Sequence, residues 1–205
     1  MKKIMSVALC AVLTACGGTS VVDLDNAQEV SAMQNVMELE YRDWTSTAEK
    51  MTKSMLTSGA FSRVKNPVIA MGTIKNDTMQ RFDTDILTKK IRSTLVNSGR
   101  AQVATSFRNN KAAEDETTYA MRQTRDNAEY DSSTIAQKGT LVAPNMSLSG
   151  KMIQRNLKLE SGWFSSVDTR VEYYLQLTLT DLKTGLSVWE DEQPIVKEGS
   201  HAPTW

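Results

Sequence analysis

One stretch near the C-terminus decides the fold: residues 171–180 read Val-Glu-Tyr-Tyr-Leu-Gln-Leu-Thr-Leu-Thr. Apolar side chains occupy every second position, and mostly polar ones stand between them. Successive side chains of a strand point to opposite faces, so this alternation predicts a β-strand with one face on a core. A tight turn at residues 181–185 and a returning run at 186–190, with Trp189 in it, predict an antiparallel hairpin.

The segments upstream of this hairpin predict further strands. Residues 68–74 are apolar and predict a buried strand, after which 75–78 form a polar loop. Residues 100–106 alternate weakly and predict a second, short strand. Residues 146–152 also alternate, but the apolar phase then changes to Ile153 and Leu157, which predicts a bulge near residues 150–153.

Helical spacing appears in three places. The first predicted helix carries Trp44, Ala48, Met51 and Met55 on one face and stops at Gly59. The second begins at Asp83 or Asp85, ends at residues 97–99, and has its core face on three residues: Leu87, Ile91 and Leu95. A third, solvated helix is predicted within 109–130. The fold class is therefore α/β: a small single domain with a mixed or antiparallel sheet and helices packed on it.

The N-terminus has the pattern of an export signal. A basic start, Met1-Lys2-Lys3, precedes a mostly apolar run over residues 4–15, which is shorter than the roughly 20 residues that a membrane span needs. The run ends in Leu-Thr-Ala before Cys16, which resembles the lipobox of bacterial lipoproteins. The resemblance implies cleavage before Cys16 and its conversion to an N-palmitoyl, S-diacylglycerol cysteine. The alternative is a chance match inside an ordinary secretory signal.

Gly17 follows the cysteine where an Asp would retain an enteric lipoprotein at the inner membrane. The resemblance therefore implies a lipid anchor in the outer membrane, on its periplasmic face. We predict four parts: a signal peptide at 1–15, a lipidated N-terminus and flexible tether at 16–43, a globular domain at 44–198 and a loose tail at 199–205.

Composition excludes several classes of protein. The chain of 205 residues has 24 Lys and Arg against 24 Asp and Glu, which does not give the basic field of a nucleic-acid-binding protein. Its two cysteines, Cys10 and Cys16, and one histidine, His201, cannot supply a four-ligand Cys/His zinc site or most His-based catalysis. We expect no cofactor and no metal. Loss of residues 1–15 would leave two more carboxylates than cations and no free thiol.

Three places carry a family resemblance, namely the loop after the first strand, the end of the second helix and the last hairpin: Asn76, Thr78, Leu95, Asn97, Gly99, Thr184, Gly185 and Trp189. Together with the lipobox and the order of the segments, they resemble the LpoB family of penicillin-binding protein activators. The resemblance implies an outer-membrane lipoprotein with a domain similar to the N-terminal domain of TolB. It also implies a non-enzymatic monomer that binds the regulatory domain of a bifunctional penicillin-binding protein and stimulates peptidoglycan synthesis. The long Pro-rich linker of enteric members is absent, and residues 17–43 contain no proline.

Most charged clusters have ordinary structural readings. Asp83 and Asp85 are expected to cap a helix, residues 190–192 to form a solvated acidic strand end, and His201 to lie exposed. The aromatic pair Trp163-Phe164 differs, because it lies in a polar connection between strands. It is either tucked under the sheet or displayed as an anchor for a partner. In the second case it would act with three nearby cations: Arg155, Lys158 and Arg170.

Two other functions stay open at this point. A component like the curli-secretion lipoproteins would share a related α/β core and assemble into an oligomer, but it would need extra membrane-entering strands. An enzyme acting on cell-wall polymers is disfavoured, because no acid/base or nucleophile motif appears.

Overall fold

The alternating stretch lies within strand β4, Thr169–Asp181, in a computed structural model whose described residues are 37–107, 115–158 and 169–199. Its odd-numbered residues from Val171 to Leu179 are buried, and the even-numbered residues between them are partly exposed. The prediction of a strand with one core face is confirmed.

Four more strands complete the sheet: β1 Val68–Asp77, β2 Gln102–Val103, β3 Met146–Lys158 and β5 Ser187–Gly199. The strand order is β2-β1-β3-β4-β5. Strand β1 runs parallel to both of its neighbours, whereas β3, β4 and β5 pair antiparallel. With the helices described next, this arrangement confirms the predicted α/β domain with a mixed sheet.

Two helices carry the apolar faces that the sequence predicts. Helix α1, Tyr41–Thr57, buries Trp44, Ala48, Met51 and Met55. The chain then passes through Gly59 at φ 78°, in the left-handed region that favours glycine after a helix end.

Helix α2, Thr84–Asn97, begins as predicted. Its N-cap residue is Asp83, whose side chain accepts a hydrogen bond from the Asp85 backbone N–H at 2.8 Å. Its inner face consists of Leu87, Ile91 and Leu95, which are fully buried. Capping is therefore the structural role of Asp83.

The packed domain starts earlier than the predicted boundary at residue 44. Met37 and Leu39 are buried in the main core. The Gln80 side chain bonds both the N–H and the C=O of Leu39, at 2.7 and 2.9 Å, and the Tyr173 hydroxyl donates to the Met37 carbonyl at 3.1 Å. Met37 belongs only to a weak helical stripe in a polar context, so sequence patterning assigned this segment to the tether.

The predicted bulge in β3 is wrong. Strand β3 pairs with β4 without a register shift from Met146 to Lys158, and its even-numbered residues remain on the core side. The irregularity lies in the neighbouring strand, β1, between Met71 and Ile74. The prediction failed because Ile153 and Leu157 are apolar residues on the opposite face of the strand, and they imitate a change in the apolar phase.

Two further element predictions need correction. Residues 75–77 belong to β1 rather than to a loop, because they pair with residues 151–153 of β3. The described part of 109–130 contains only a short helix α3, Thr117–Gln123, followed by a 3₁₀ turn at Thr124–Asp126. The segment has too few apolar residues for packing to stabilise a longer helix, and no residue of α3 is buried.

Candidate docking face of the sheet

The sheet has one face under the helices and one outer face. Helices α1 and α2 pack against the side that carries Tyr173 and Leu175. Because side chains alternate along a strand, Glu172 and Tyr174 point to the opposite side. Residues on this outer face of β3, β4 and β5 are therefore candidates for contacts outside the domain.

Strand register brings five polar residues together at one end of this face. Arg155 of β3 lies directly opposite Glu172 of β4, and Arg170 of β4 lies opposite Glu198 of β5. Tyr174 follows Glu172 two residues later on the same side. We call this set, Arg155, Arg170, Glu172, Tyr174 and Glu198, the outer-face cluster.

Hydrogen bonds and ion pairs connect the cluster. The Arg170 Nε donates to Glu198 Oε1 at 2.6 Å, and its Nη2 pairs with the same oxygen. The Nη1 of Arg170 lies 4.0 Å from Glu172 Oε1. The Tyr174 hydroxyl donates to Glu172 Oε2 at 2.6 Å. Glu172 thus joins Arg170 and Tyr174 on the surface of one strand.

The electrostatics of the cluster keep Tyr174 protonated. The hydrogen bond to Glu172 raises the pKa of the Tyr174 phenol, because an ionised phenolate would lose this donor and meet a carboxylate. Tyr174 therefore remains a neutral donor at physiological pH. The cluster can present cations, carboxylates and a phenol to a partner.

The structure places only part of the predicted docking set. Arg155 and Arg170 lie on the same outer face, on neighbouring rows of the β3–β4 pair. Lys158 pairs with Thr169 at the end of β3. Trp163 and Phe164 lie outside the described residues, as do Cys16 and His201. Their predicted roles stay predictions.

Sequence reasoning missed Glu172, Tyr174 and Glu198 as members of this site. Glu172 and Tyr174 are outward-facing positions of the stretch that decides the fold. The alternation of apolar and polar residues in that stretch was the signal that could have identified them. Glu198 required the register between β4 and β5, which the sequence did not provide.

The acidic residues 190–192 lie within β5 rather than at its end. Glu192 accepts a hydrogen bond from the Gln176 side chain at 2.5 Å, across the β4–β5 pair. Within the described ranges, no three His, Cys, Asp or Glu side chains come together as a metal site. None of the helices described there is long and apolar enough to cross a membrane.

Comparison with known proteins gives a family. The family model described as peptidoglycan-synthase activator LpoB matches residues 43–195. No curated protein matches the chain in sequence.

Solved structures of the same name are similar at low identity. The LpoB C-terminal domain from Salmonella enterica is 15% identical, with 75% of this chain and 98% of that chain covered and a TM-score of 0.43. The NMR structure of E. coli LpoB is 13% identical, with 96% and 86% covered and a TM-score of 0.42.

Proposed function

This chain belongs to the LpoB family of peptidoglycan-synthase activators, and on that premise we propose that it binds a bifunctional penicillin-binding protein and stimulates it as an outer-membrane lipoprotein. The observation that carries the proposal is the family match over residues 43–195, which covers nearly all of the packed domain.

The proposed anchor rests on the sequence around Cys16. A basic start, a short apolar run and a small-residue pair before the cysteine form the lipobox pattern. Two or more acyl chains give stable membrane attachment, whereas one chain does not. Gly17 supports delivery to the outer membrane, where residues 16–36 would connect the lipid to the packed domain.

The proposed docking surface is the outer-face cluster with the connection that follows β3. Arg155 and Arg170 supply cations, and Val196, which lies opposite Glu172, is 50% exposed. Tyr and Arg are enriched at protein interfaces, and the cluster contains both. Trp163 and Phe164 lie between β3 and β4 in sequence and would add the aromatic anchors that dominate interfaces.

Activation would be allosteric rather than chemical. A binding protein raises the rate of an enzyme only if it binds the active state more tightly than the inactive state. We therefore propose that this protein acts as a regulator and that the penicillin-binding protein performs the glycan polymerisation and crosslinking.

The experiment uses the full lipidated chain as bait for detergent-solubilised membranes of the source bacterium. We expect a bifunctional penicillin-binding protein in the bound fraction and faster glycan polymerisation when the purified pair is mixed. The double variant Arg155→Glu, Arg170→Gln should bind about tenfold more weakly, since reversing charge at an interface costs on the order of 1.4 kcal/mol or more.

The matched control is Lys50→Glu with Lys183→Gln, which makes the same change of charge at exposed positions of α1 and of the β4–β5 turn. It should bind as the wild type does. Failure of the wild-type chain to recover any bifunctional penicillin-binding protein would overturn the proposed function. Size-exclusion chromatography of the wild type tests the alternative, because a large ring would favour a secretion component over a monomeric activator.

A further inference from the structure

A groove lies at the end of the sheet where β1 begins, opposite to the end that carries the outer-face cluster. Its volume is about 670 Å³, within the range of pockets that hold small ligands. Residues 65–68 and 99–102 form most of its wall, and Val142 and Asn145 complete it. Every lining residue is described by the structure, and none adjoins a segment that is not. We call this feature the terminal groove.

The wall of the terminal groove carries two cations and no carboxylate. Lys65 stands just before β1, and Arg100 stands between α2 and β2. Among the described residues, no carboxylate forms an ion pair with either of them. The groove therefore has a positive charge that the described side chains do not compensate.

One hydrogen bond holds the Arg100 guanidinium in place. Its Nη1 donates to the Leu56 carbonyl, in the last turn of α1, at 2.7 Å. No other bond from this guanidinium reaches a described residue, so its Nε and Nη2 donors remain for a ligand. A guanidinium presents its donors in a fixed fork that matches a carboxylate, and a group that is already positioned loses less freedom on binding.

Two side-chain amides accompany the cations. Asn66 and Gln102 are exposed, and the amide of neither side chain bonds to a described residue. Asn66 has φ 51°, and the Asn145 Nδ2 fixes this turn by donating to the carbonyls of Asn66 and Lys65 at 3.1 and 3.4 Å. Residues held in sparsely populated backbone conformations cluster at binding sites, and this turn places Lys65 and Asn66 together on the groove wall.

These groups favour a small acidic peptide as the ligand. Lys and Arg donors without a partner bind carboxylates, and free amides can bond both the N–H and the C=O of a peptide. Ten residues line the groove, against about 20–30 on each side of a standard protein interface. A short peptide with free carboxylates therefore fits the groove better than a folded protein surface does.

We propose that the terminal groove binds the free carboxylates of the short peptides in peptidoglycan. The choice of this acidic peptide rests on the proposed function, because the family acts on peptidoglycan synthases. Lys65 and Arg100 pair with a carboxylate, and Asn66 and Gln102 bond the peptide backbone beside it. Because the groove and the outer-face cluster lie at opposite ends of the sheet, the chain can contact the cell wall and the synthase at the same time.

The test is cosedimentation of the full lipidated chain, kept in detergent, with purified peptidoglycan. The double variant Lys65→Gln, Arg100→Gln removes both cations at exposed positions. We expect it to bind at least about tenfold more weakly than the wild type, because charge-assisted hydrogen bonds to the carboxylate are lost. The matched control, Lys50→Gln with Lys75→Gln, removes two exposed lysines outside the groove and should bind as the wild type does. Equal binding by the two double variants would overturn the inference.

A third variant, Asn66→Gly, guards against loss of folding in the groove variant. Glycine adopts a positive φ without strain, so the free energy of unfolding should not fall. Loss of the amide should still weaken binding to peptidoglycan by about fivefold. If the double variant fails to fold, wild-type binding by Asn66→Gly would overturn the inference.

Competition and synthase recovery identify the ligand. Soluble peptide-bearing fragments of peptidoglycan should displace the wild type from the polymer, whereas inorganic phosphate at the same concentration should not. Equal displacement by phosphate would indicate a general anion site and would overturn the inference. The groove variant should recover the penicillin-binding protein from membranes as well as the wild type does, and loss of that recovery would mean that the synthase itself occupies the groove, which also overturns the inference. Failure of the wild type to recover the synthase would instead count against the proposed function.

Discussion

The ammonium group of Lys197 lies 2.5 Å from the carboxylate of Asp43, and this ion pair joins the edge strand β5 to the first turn of helix α1. Both side chains are largely withdrawn from water, at 11% and 21% exposed. The same Asp43 oxygen accepts a hydrogen bond from the Glu40 backbone N–H at 3.0 Å. Asp43 therefore caps the helix and holds it to the sheet.

We expect Asp43→Ala to lower the free energy of unfolding by about 2 kcal/mol, since it removes a capping bond and leaves a partly buried ammonium without its partner. Urea denaturation measures the change. Asp77→Ala is the control, because its pair with Lys151 at 3.2 Å is exposed and should be worth less than about 1 kcal/mol. Equal losses in the two variants would contradict the assigned role of Asp43.

Gly150 is required by close packing of β3 on β4. A Cβ atom at this position would lie 2.5 Å from the Gln176 carbonyl oxygen and 2.7 Å from Leu177. We expect Gly150→Ala to cost about 3 kcal/mol, because a backbone atom cannot move aside without breaking the strand pair. Thermal denaturation checks this prediction.

Gly139→Ala is the comparison for that variant. Gly139 has φ 79° but no atom within 4 Å of an added Cβ, so only backbone strain of about 1–2 kcal/mol is expected. A larger loss at Gly139 than at Gly150 would show that backbone conformation, not crowding, limits this fold.

The strands around Gly150 show why part of the fold could be predicted from the sequence and part could not. Periodicity identified β4 and the inner faces of α1 and α2, because each buries one side of a regular element. The register of β3 was misjudged, since apolar residues on the outer face imitate a change of phase. The bulge in β1 depends on how β1 pairs with β3, and the sequence pattern of one strand does not specify its pairing with another.

The Tyr173 hydroxyl is bonded to the first segment of the packed domain, at the Met37 carbonyl. Burial raises the pKa of its phenol above the ordinary value, and the carboxylates of Glu38 and Asp43 add to the effect. We expect Tyr173→Phe to lower the free energy of unfolding by about 1–2 kcal/mol, because the buried Met37 carbonyl loses its donor. Chemical denaturation at neutral pH measures this loss.

The same residue predicts a pH dependence of stability. The folded pKa of Tyr173 exceeds the unfolded value of about 10, so its contribution is complete below pH 10 and falls as pH rises further. Unfolding midpoints measured from pH 8 to 11 should therefore decline less in Tyr173→Phe than in the wild type. Identical declines would mean that other groups control alkaline stability.

The candidate site was less predictable than the fold. Arg155 and Arg170 were singled out as cations near an aromatic pair, and both lie on the outer face. Strand pairing brings their partners Glu172 and Glu198 close to them. The paired residues are far apart in sequence, so no local sequence pattern predicts these contacts.

Asn145 connects the start of β1 to the strands beside it. Its Oδ1 accepts from the Val68 N–H at 2.9 Å, and its Nδ2 donates to the Asn66 carbonyl at 3.1 Å. Asn66 itself has φ 51°, a strained value for a residue other than glycine. We expect Asn145→Ala to cost about 2 kcal/mol and Asn145→Asp about half as much, since Asp keeps the acceptor and loses only the donor. Urea denaturation of the two variants tests the order, and a smaller loss in Asn145→Ala would show that the bond to Val68 does not hold this strand in place.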